Sequence, residues 1–243
     1  MTLVTAYDYP TGRLLDEAGV DIVLVGDSLG MVVLGFPDTT HVTLDHMLHH
    51  VEATARGVKN ALLVGDMPIH SYDTVEQAVQ SAKKLFLAGA DAVKLEGGVA
   101  QAGNIRAIVE AGIPVVGHIG LLPQKVLEEG GYKIKGKSSA EEEALVRDVE
   151  AVAEAGACAV VVEGVTPHAA RQVTVHSSIP TLGIGSGSHT CDGDVVVIHD
   201  LVGAFPWFIP AFVKPRADVA GSMTAAVKEW MEDCYTEPGS ISS

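Results

Sequence analysis

Ionisable and hydroxyl side chains recur at one kind of position in this sequence, at or just after the end of a short apolar run. DIVLVGDS and ALLVGD end on acids or a serine, and VKLE, VVGH and VVVE end on a charged or titratable residue. The residues concerned are Asp27, Ser28, Asp66, Lys94, Glu96, His118 and Glu163. If the runs are parallel strands, their carboxyl ends meet at one edge, so we expect a single polar site.

The carboxylates of this set predict a site for a hard divalent cation, which prefers oxygen ligands. Mg²⁺ keeps several waters and takes few carboxylates, so Asp27, Asp66 and Glu96 are candidate ligands, directly or through water. A 2-oxo acid would suit the remaining positions, because its ketone and carboxylate oxygens can share one metal. The metal would then polarise the carbonyl and stabilise an enolate, while Lys94 would neutralise the substrate carboxylate.

Removal of a proton beside that carbonyl requires a base that does not bind the metal. Glu163 is the candidate, because the apolar residues AVVV precede it and partial desolvation raises a carboxyl pKa. His118 is a candidate for a further catalytic role, with a satisfied core or loop histidine as the alternative.

Structural interpretations of the same residues stay open. An Asp after a strand often caps a loop, and Lys94 and Glu96 at i, i+2 share one strand face, where they could form an internal ion pair. His199 and Asp200 are expected to cap the eighth strand. The histidines of HVTLDHMLHH predict a polar or subunit-facing helix surface, because no motif supplies a full set of zinc ligands.

The elements that would position these residues follow from eight short β-branched runs separated by helical patterns. The run TVEQAVQSAKKLFLAG has apolar residues at the spacing of one buried helical face, namely Val75, Ala78, Val79, Ala82 and Leu85. Glycine follows several predicted helices, as in DEAG, LAGA, VEAG and AEAG, and predicts a left-handed helix end before a strand. Because the strands are apolar on both faces, we predict an α/β fold, a single-domain (β/α)8 TIM barrel. Residues 1–235 would form the barrel with a C-terminal helix, and residues 236–243 a flexible tail.

Composition narrows the class of partner. The 243 residues are 47% hydrophobic and carry a formal net charge of -15. Such an acidic chain argues against nucleic acid, and no apolar run approaches the about 18 residues of a membrane span. Three widely spaced cysteines without a C-x-x-C pair fit a reducing compartment, and MTLVTAYDY lacks the pattern of a signal peptide. We therefore expect a cytoplasmic protein with a small-molecule partner.

Several motifs occur together in a recognisable order: TAYDY, VGDSLGM, GDMP, VKLEGG, GHIGLLPQ, GGYKIKGK, VVVEGV and IPTLGIGSG. In order and spacing, from Thr5 to about Glu232, the chain resembles the ketopantoate hydroxymethyltransferases. These are (β/α)8 barrels of the phosphoenolpyruvate mutase and isocitrate lyase superfamily. The resemblance implies transfer of a one-carbon unit from 5,10-methylenetetrahydrofolate to 3-methyl-2-oxobutanoate, which gives 2-dehydropantoate for pantothenate and coenzyme A.

Carried over by motif, the resemblance implies roles for individual residues. Asp27 and Asp66 would bind Mg²⁺ and the substrate, and Glu96 would join the metal shell. Ser28 and Lys94 would contact the oxo acid. Glu163 of VVVEGV would accept the C3 proton, after which the enolate would add to the methylene carbon of the folate co-substrate. The resemblance also implies a homo-oligomer, for which a decamer is one candidate.

Two rival functions can be compared with this one. A Mg²⁺-dependent lyase or mutase of the same superfamily would share the metal acids, but a lyase would typically carry a K-K-C-G-H-like loop, and the sequence has none. A paralogue that binds ligand without turnover would be expected to have lost at least one of the acids, the lysine or the base. All of them are present.

Overall fold

The computed structural model describes residues 1–236 and contains a closed barrel of eight parallel strands, β1 to β8, arranged in chain order. The barrel closes where β1 pairs with β8. The strands are Thr2–Thr5, Ile22–Val25, Leu62–Asp66, Ala92–Glu96, Val115–Gly120, Ala159–Glu163, Thr181–Ile184 and Gly193–Val196. The predicted (β/α)8 fold is confirmed, and each of the eight predicted runs contributes to a strand, although only the first two residues of the eighth run, VVVIHD, lie in β8.

Helices α1 to α7 connect the strands up to β7, with both α2 and α3 between β2 and β3. The described segment between β7 and β8 contains no helix, and α8 and α9 follow the last strand. In chain order, helices α1 to α9 are Tyr9–Glu17, Leu29–Val32, Leu44–Ala55, Val75–Leu87, Ala102–Glu110, Ser139–Glu154, Pro167–His176, Ile198–Leu201 and Val219–Thr236. Among the described residues, none of these helices is long and apolar enough to cross a membrane.

The described residues divide into two compact units. The first, Met1–Val197, contains all eight strands and helices α1 to α7, and the second begins at Ile198 and contains α8 and α9. Of the predicted tail, 236–243, all but the first residue lie outside the described residues. The prediction that His199 and Asp200 cap the eighth strand is wrong, because β8 ends at Val196 and both residues lie within α8.

Strands β1 to β7 are buried on both faces over most of their length, as their continuous apolar sequences predict. Strand β8 differs, because Asp194 is exposed and Val195 and Val196 are only partly buried. One face of each strand points into the barrel, where alternate residues form a single apolar cluster that includes Leu24, Val64, Val116 and Val161. The other face packs on the helices. A Cβ at Gly117 would lie 2.4 Å from the Val152 side chain of α6, so glycine allows strand and helix to approach closely.

Glycines end four of the helices as predicted. Gly19, Gly89, Gly112 and Gly156 all have positive φ angles, from 81° to 111°, and each precedes the next strand by a few residues. The left-handed conformation ends the helix and turns the chain toward the barrel.

Helix α4 confirms most of the predicted buried face, although Val79 is only partly buried and Val75 is exposed. Ala78, Ala82 and Leu85 are fully buried, but Val75 is 50% exposed. Val75 is the first residue of the helix, and Ser81 takes a buried position instead. The apolar face therefore begins one turn later than the spacing predicts.

Candidate active site

The predicted site residues extend the interior face of the barrel strands. Because side chains alternate along a strand, Asp66 follows Val64 on the inner face of β3, and Lys94 follows Ala92 on β4. His118 follows Val116 on β5, and Glu163 follows Val161 on β6 in the same way. The apolar cluster therefore gives way to a polar layer toward the carboxyl ends of the strands.

Strand register brings the polar residues side by side. Asp66 is the Cα partner of Lys94, and Glu96 is the Cα partner of His118. Glu163 pairs with Gly120 one strand further on. The structure thus brings together residues that are up to 97 positions apart in the sequence.

Lys94 and Asp66 form a buried ion pair. The Lys94 Nζ donates to both carboxylate oxygens of Asp66 at 2.7 Å, and the two side chains are 6% and 2% exposed. The ion pair that the sequence suggested between Lys94 and Glu96 is therefore made with Asp66 on the neighbouring strand. Lys94 supplies the positive charge that partly balances the buried acids.

Asp27 lies in the turn between β2 and α2, beside Asp66. Its backbone N–H donates to the Asp66 Oδ2 at 3.2 Å, and Gly30 N–H donates to the Asp27 carbonyl at 2.9 Å. The turn thus places a second carboxylate next to the first. Ser28 follows in the same turn, and its Oγ lies 2.8 Å from the hydroxyl of Tyr7, which extends from the end of β1.

Glu96 is buried at the end of β4 and is only partly satisfied. Its Oε2 accepts the backbone N–H of Gln124 at 3.1 Å. Its Oε1 has no hydrogen-bond partner among the described residues, although the His118 Nδ1 is 3.5 Å away. A buried carboxylate oxygen without a hydrogen bond is unfavourable in free energy, so Oε1 of Glu96 is a candidate to accept a hydrogen bond from a bound ligand.

His118 lies between two carboxylates. Its Nδ1 is 3.5 Å from Glu96 and its Nε2 is 3.3 Å from Glu163, but neither contact has hydrogen-bond geometry. The His118 side chain is 1% exposed, whereas that of Glu163 is 24% exposed. Glu163 is therefore the carboxylate of the polar layer that a molecule arriving from solvent could reach.

Burial perturbs the acids of the site. Burial, together with the nearby charge of Asp66, raises the pKa of Asp27 to about 7. Burial also raises the pKa of Glu96 well above its ordinary range, against the opposing effect of Lys94. Burial acts to lower the pKa of Lys94, but Asp66 and Glu96 outweigh it and raise that pKa, so the ammonium stays charged. The cluster carries more acid than its one lysine can balance.

The oxygen-rich set fits a small divalent cation. Over residues 1–236, no three His, Cys, Asp or Glu side chains form a ready metal cage. Mg²⁺ does not require one, because it binds through one or two carboxylates and keeps its waters. Asp27 and Asp66 are adjacent, and the unpaired Glu96 oxygen could accept from a metal-bound water. The donor chemistry and the excess of buried acid therefore suit such an ion.

Sequence reasoning missed three residues that support the predicted ones. Tyr7 contacts Ser28, as described above, and Gln124 contacts both Asp27 and Glu96. Tyr72 in turn donates to Gln124. For two of them a signal was available, namely the position of Tyr7 in TAYDY and of Gln124 in GHIGLLPQ. Both residues follow the carboxyl end of a strand, where the predicted site lies.

The histidine-rich segment has a structural role. The His46 side chain accepts from the Thr43 backbone and completes a capping box at the start of α3. The His50 Nδ1 is 2.6 Å from the carbonyl oxygen of Tyr7, so this hydrogen bond connects α3 to the segment that follows β1.

Comparisons with known proteins agree with the geometry. The profile of the family described as ketopantoate hydroxymethyltransferase matches residues 1–238. The 3-methyl-2-oxobutanoate hydroxymethyltransferase of Ignicoccus hospitalis is 50% identical over 96% of this chain and 88% of its own length. The enzyme of that name from Moorella thermoacetica is 50% identical over 96% of this chain and 87% of its own.

Solved structures share the fold. A putative phosphonomutase from Burkholderia cenocepacia superposes with a TM-score of 0.69 at 16% identity, over 94% of this chain and 92% of that one. A phosphoenolpyruvate phosphomutase from Streptomyces platensis gives a TM-score of 0.68 at 18% identity, over 95% and 83% of the two chains. These matches show that the barrel fold is shared, and the sequence matches are more specific. The chain belongs to the ketopantoate hydroxymethyltransferase family and is a hydroxymethyl-transferring enzyme.

Proposed function

We propose that this enzyme transfers a hydroxymethyl group from 5,10-methylenetetrahydrofolate to 3-methyl-2-oxobutanoate and so supplies 2-dehydropantoate for pantothenate biosynthesis. The observation that carries the proposal is the polar layer at the carboxyl ends of the strands. There, a buried carboxylate cluster with one lysine lies beside a separate, partly exposed carboxylate, Glu163. These are the two functions that enolisation needs, namely charge stabilisation and a base.

Asp27 and Asp66 would hold Mg²⁺, and Glu96 would assist through water. When bound, Mg²⁺ would polarise the substrate carbonyl and stabilise negative charge on its oxygen. The raised pKa of Asp27 supports this assignment, because a cation would replace the proton that burial and Asp66 favour.

Ser28 and Lys94 would orient the oxo acid. The Ser28 hydroxyl is held by Tyr7 and lies next to Asp27 in the same turn, so it can donate to a substrate oxygen. Lys94 is the cation of this cluster, and its ammonium could contact the substrate carboxylate while it remains close to Asp66. Both groups would favour binding of an anionic substrate in a site that is otherwise acidic.

Glu163 would take the C3 proton of the substrate. Its side chain reaches solvent, unlike those of Asp66 and Glu96, and is not part of the carboxylate cluster. His118, between Glu163 and Glu96, would restrain the base. Once the proton has moved to Glu163, C3 would bond to the methylene carbon of the folate as the bond from that carbon to one folate nitrogen breaks, and this nitrogen would take the proton from Glu163. Water would then displace the second folate nitrogen from the same carbon, leaving its hydroxyl on the carbon and its other proton on the nitrogen. The product then carries a hydroxymethyl group.

We also propose a cytoplasmic homo-oligomer, and a decamer stays a candidate. The support is helix α9, which exposes a stripe of large apolar side chains at helical spacing. These are Met223, Val227, Trp230, Met231 and Tyr235. A stripe of this kind is typical of a surface that is covered by another chain.

Exchange of the C3 proton tests the chemistry without folate. 3-Methyl-2-oxobutanoate in D₂O with the protein and Mg²⁺ should lose its C3 proton signal in NMR, and EDTA should prevent the loss. Glu163→Gln should still bind the oxo acid but lose exchange by about 10²-fold or more, as expected for a general base. Asp27→Ala should lose the metal-dependent binding itself.

A matched control is Glu110→Gln, which changes an exposed carboxyl at the end of α5 and should exchange at the wild-type rate. Wild-type exchange in both Glu163→Gln and Asp27→Ala would show that the site is wrong. If wild-type protein exchanged nothing and formed no 2-dehydropantoate after addition of 5,10-methylenetetrahydrofolate, the proposed donor and enolate chemistry would be wrong.

A further inference from the structure

Gln124 connects the acids of the site although it carries no charge itself. It lies in a short 3-10 turn after β5 and is 3% exposed. Its side-chain Nε2 donates to the Asp27 Oδ2 at 2.9 Å and to the Met67 carbonyl at 3.0 Å. Its backbone N–H donates to the Glu96 Oε2 at 3.1 Å. One residue therefore contacts a carboxylate in the turn after β2 and another at the end of β4.

Tyr72 determines which way the Gln124 amide points. The buried Tyr72 hydroxyl donates to the Gln124 Oε1 at 2.5 Å. A flipped amide would place its oxygen against the Asp27 carboxylate and the Met67 carbonyl, both of which are acceptors. Only the observed orientation satisfies all three partners.

The Tyr72 hydroxyl remains a hydrogen-bond donor to the Gln124 amide. Burial, and then the charge of Glu96, raise the pKa of Tyr72, so it keeps its proton and remains a donor. Asn104 donates to the Tyr72 backbone carbonyl at 2.8 Å and holds this segment against α5. The chain of contacts thus runs from a helix of the outer layer to the carboxylate cluster.

A neutral donor has an advantage at this position. A lysine or arginine would compete with a cation for Asp27, and a carboxylate would add repulsion to a cluster that is already too acidic. The Gln124 amide fixes one oxygen of Asp27 and adds no charge. Partners of this kind orient metal ligands in many proteins.

We propose that Gln124 is a positioning residue that fixes Asp27 and Glu96 relative to each other for a divalent cation, and that Tyr72 sets the direction of its amide. The inference rests on the proposed function, because it assumes that Asp27 and Glu96 serve a metal. It predicts that loss of either contact weakens binding of the ion itself, before any substrate is present.

The test is Mn²⁺ binding to the metal-free protein, measured from the free Mn²⁺ signal in electron paramagnetic resonance. Gln124→Met keeps the length of the side chain and removes its donor and acceptor, and should weaken binding about 10–100-fold. Tyr72→Phe removes only the hydroxyl and should weaken it about 3–10-fold. Ile113→Val, a buried substitution just before β5 and so at the opposite end of the barrel from the polar layer, should bind within about twofold of wild type, because distant sites act independently.

The outcomes separate this inference from the metal site on which it rests. If the wild type binds Mn²⁺, Asp27→Asn does not, and folded Gln124→Met binds like the wild type, the positioning role is wrong and the metal site stands. If the wild type fails to bind, or Asp27→Asn binds as well as the wild type, the metal site is wrong and the inference fails with it. Should Gln124→Met not fold, Tyr72→Phe decides, and wild-type affinity there would overturn the proposal.

Discussion

Replacement of Lys94 by methionine is the most direct test of how the acidic cluster is balanced. Methionine keeps the unbranched side chain but removes the ammonium that donates to both Asp66 oxygens. The two partners are 6% and 2% exposed, so water cannot take over the lost contacts. Removal of one partner of a buried ion pair typically costs about 3–5 kcal/mol. For a chain of this size, that corresponds to a fall in melting temperature of about 6–20 °C.

Thermal unfolding followed by circular dichroism, with and without Mg²⁺, measures this effect. Mg²⁺ should restore about 2.7 kcal/mol at a hundredfold excess over its dissociation constant, because the ion would replace the missing charge. Lys135→Met is the matched control. Lys135 pairs with Glu129, and both side chains are 28% exposed, so its loss should cost only about 0–1 kcal/mol. Equal melting temperatures for the two variants would refute the reasoning that Lys94 balances buried charge.

Two further predictions concern pH and backbone geometry. Burial and the charge of Asp66 raise the pKa of Asp27 to about 7 in the folded metal-free protein. Between about pH 4 and 7 the folded protein therefore keeps a proton on Asp27 that the unfolded chain has released. The free energy of unfolding should fall as the pH rises through this window. The affinity for Mg²⁺ should rise by up to about tenfold per pH unit toward about pH 7, because the ion displaces this proton. Calorimetric titration in buffers of different ionisation heat would detect the released proton, and an affinity that does not change with pH would contradict the prediction. Gly120→Ala should lose about 1–3 kcal/mol in urea unfolding, because φ is 97° and a Cβ would lie 2.3 Å from the Glu163 carbonyl oxygen. Gly103→Ala, at a helical position with open space around it, should lose nothing, and similar losses in both would refute the steric argument.

The fold could be predicted from the sequence because its signals are local. Apolar runs that end in polar residues mark the strands, and glycines such as Gly89 and Gly156 mark where a helix ends. Alternation along each strand then brings Asp66 and Lys94 to one face without any knowledge of the structure.

The remaining parts of the site depend on contacts between distant segments. Gln124 is 97 residues from Asp27 and 52 from Tyr72, and no periodic pattern reports such a contact. The partner of Lys94 also depends on strand register, because Glu96 is nearer in sequence but Asp66 is directly opposite. Sequence spacing could identify the residues that meet in the polar layer, but not which of them pair.

The alternation between the two faces of β4 also protects the fold from error during assembly. Lys94 and Glu96 point into the barrel, whereas Val93 and Leu95 point toward the helices. A slip of one residue against β3 would exchange these sets and press two charges into the apolar layer under the helices, at a cost of several kcal/mol. The charges proposed to serve the reaction therefore also disfavour a wrong register, because a barrel closed in that register could neither bury its strands nor keep its acids together.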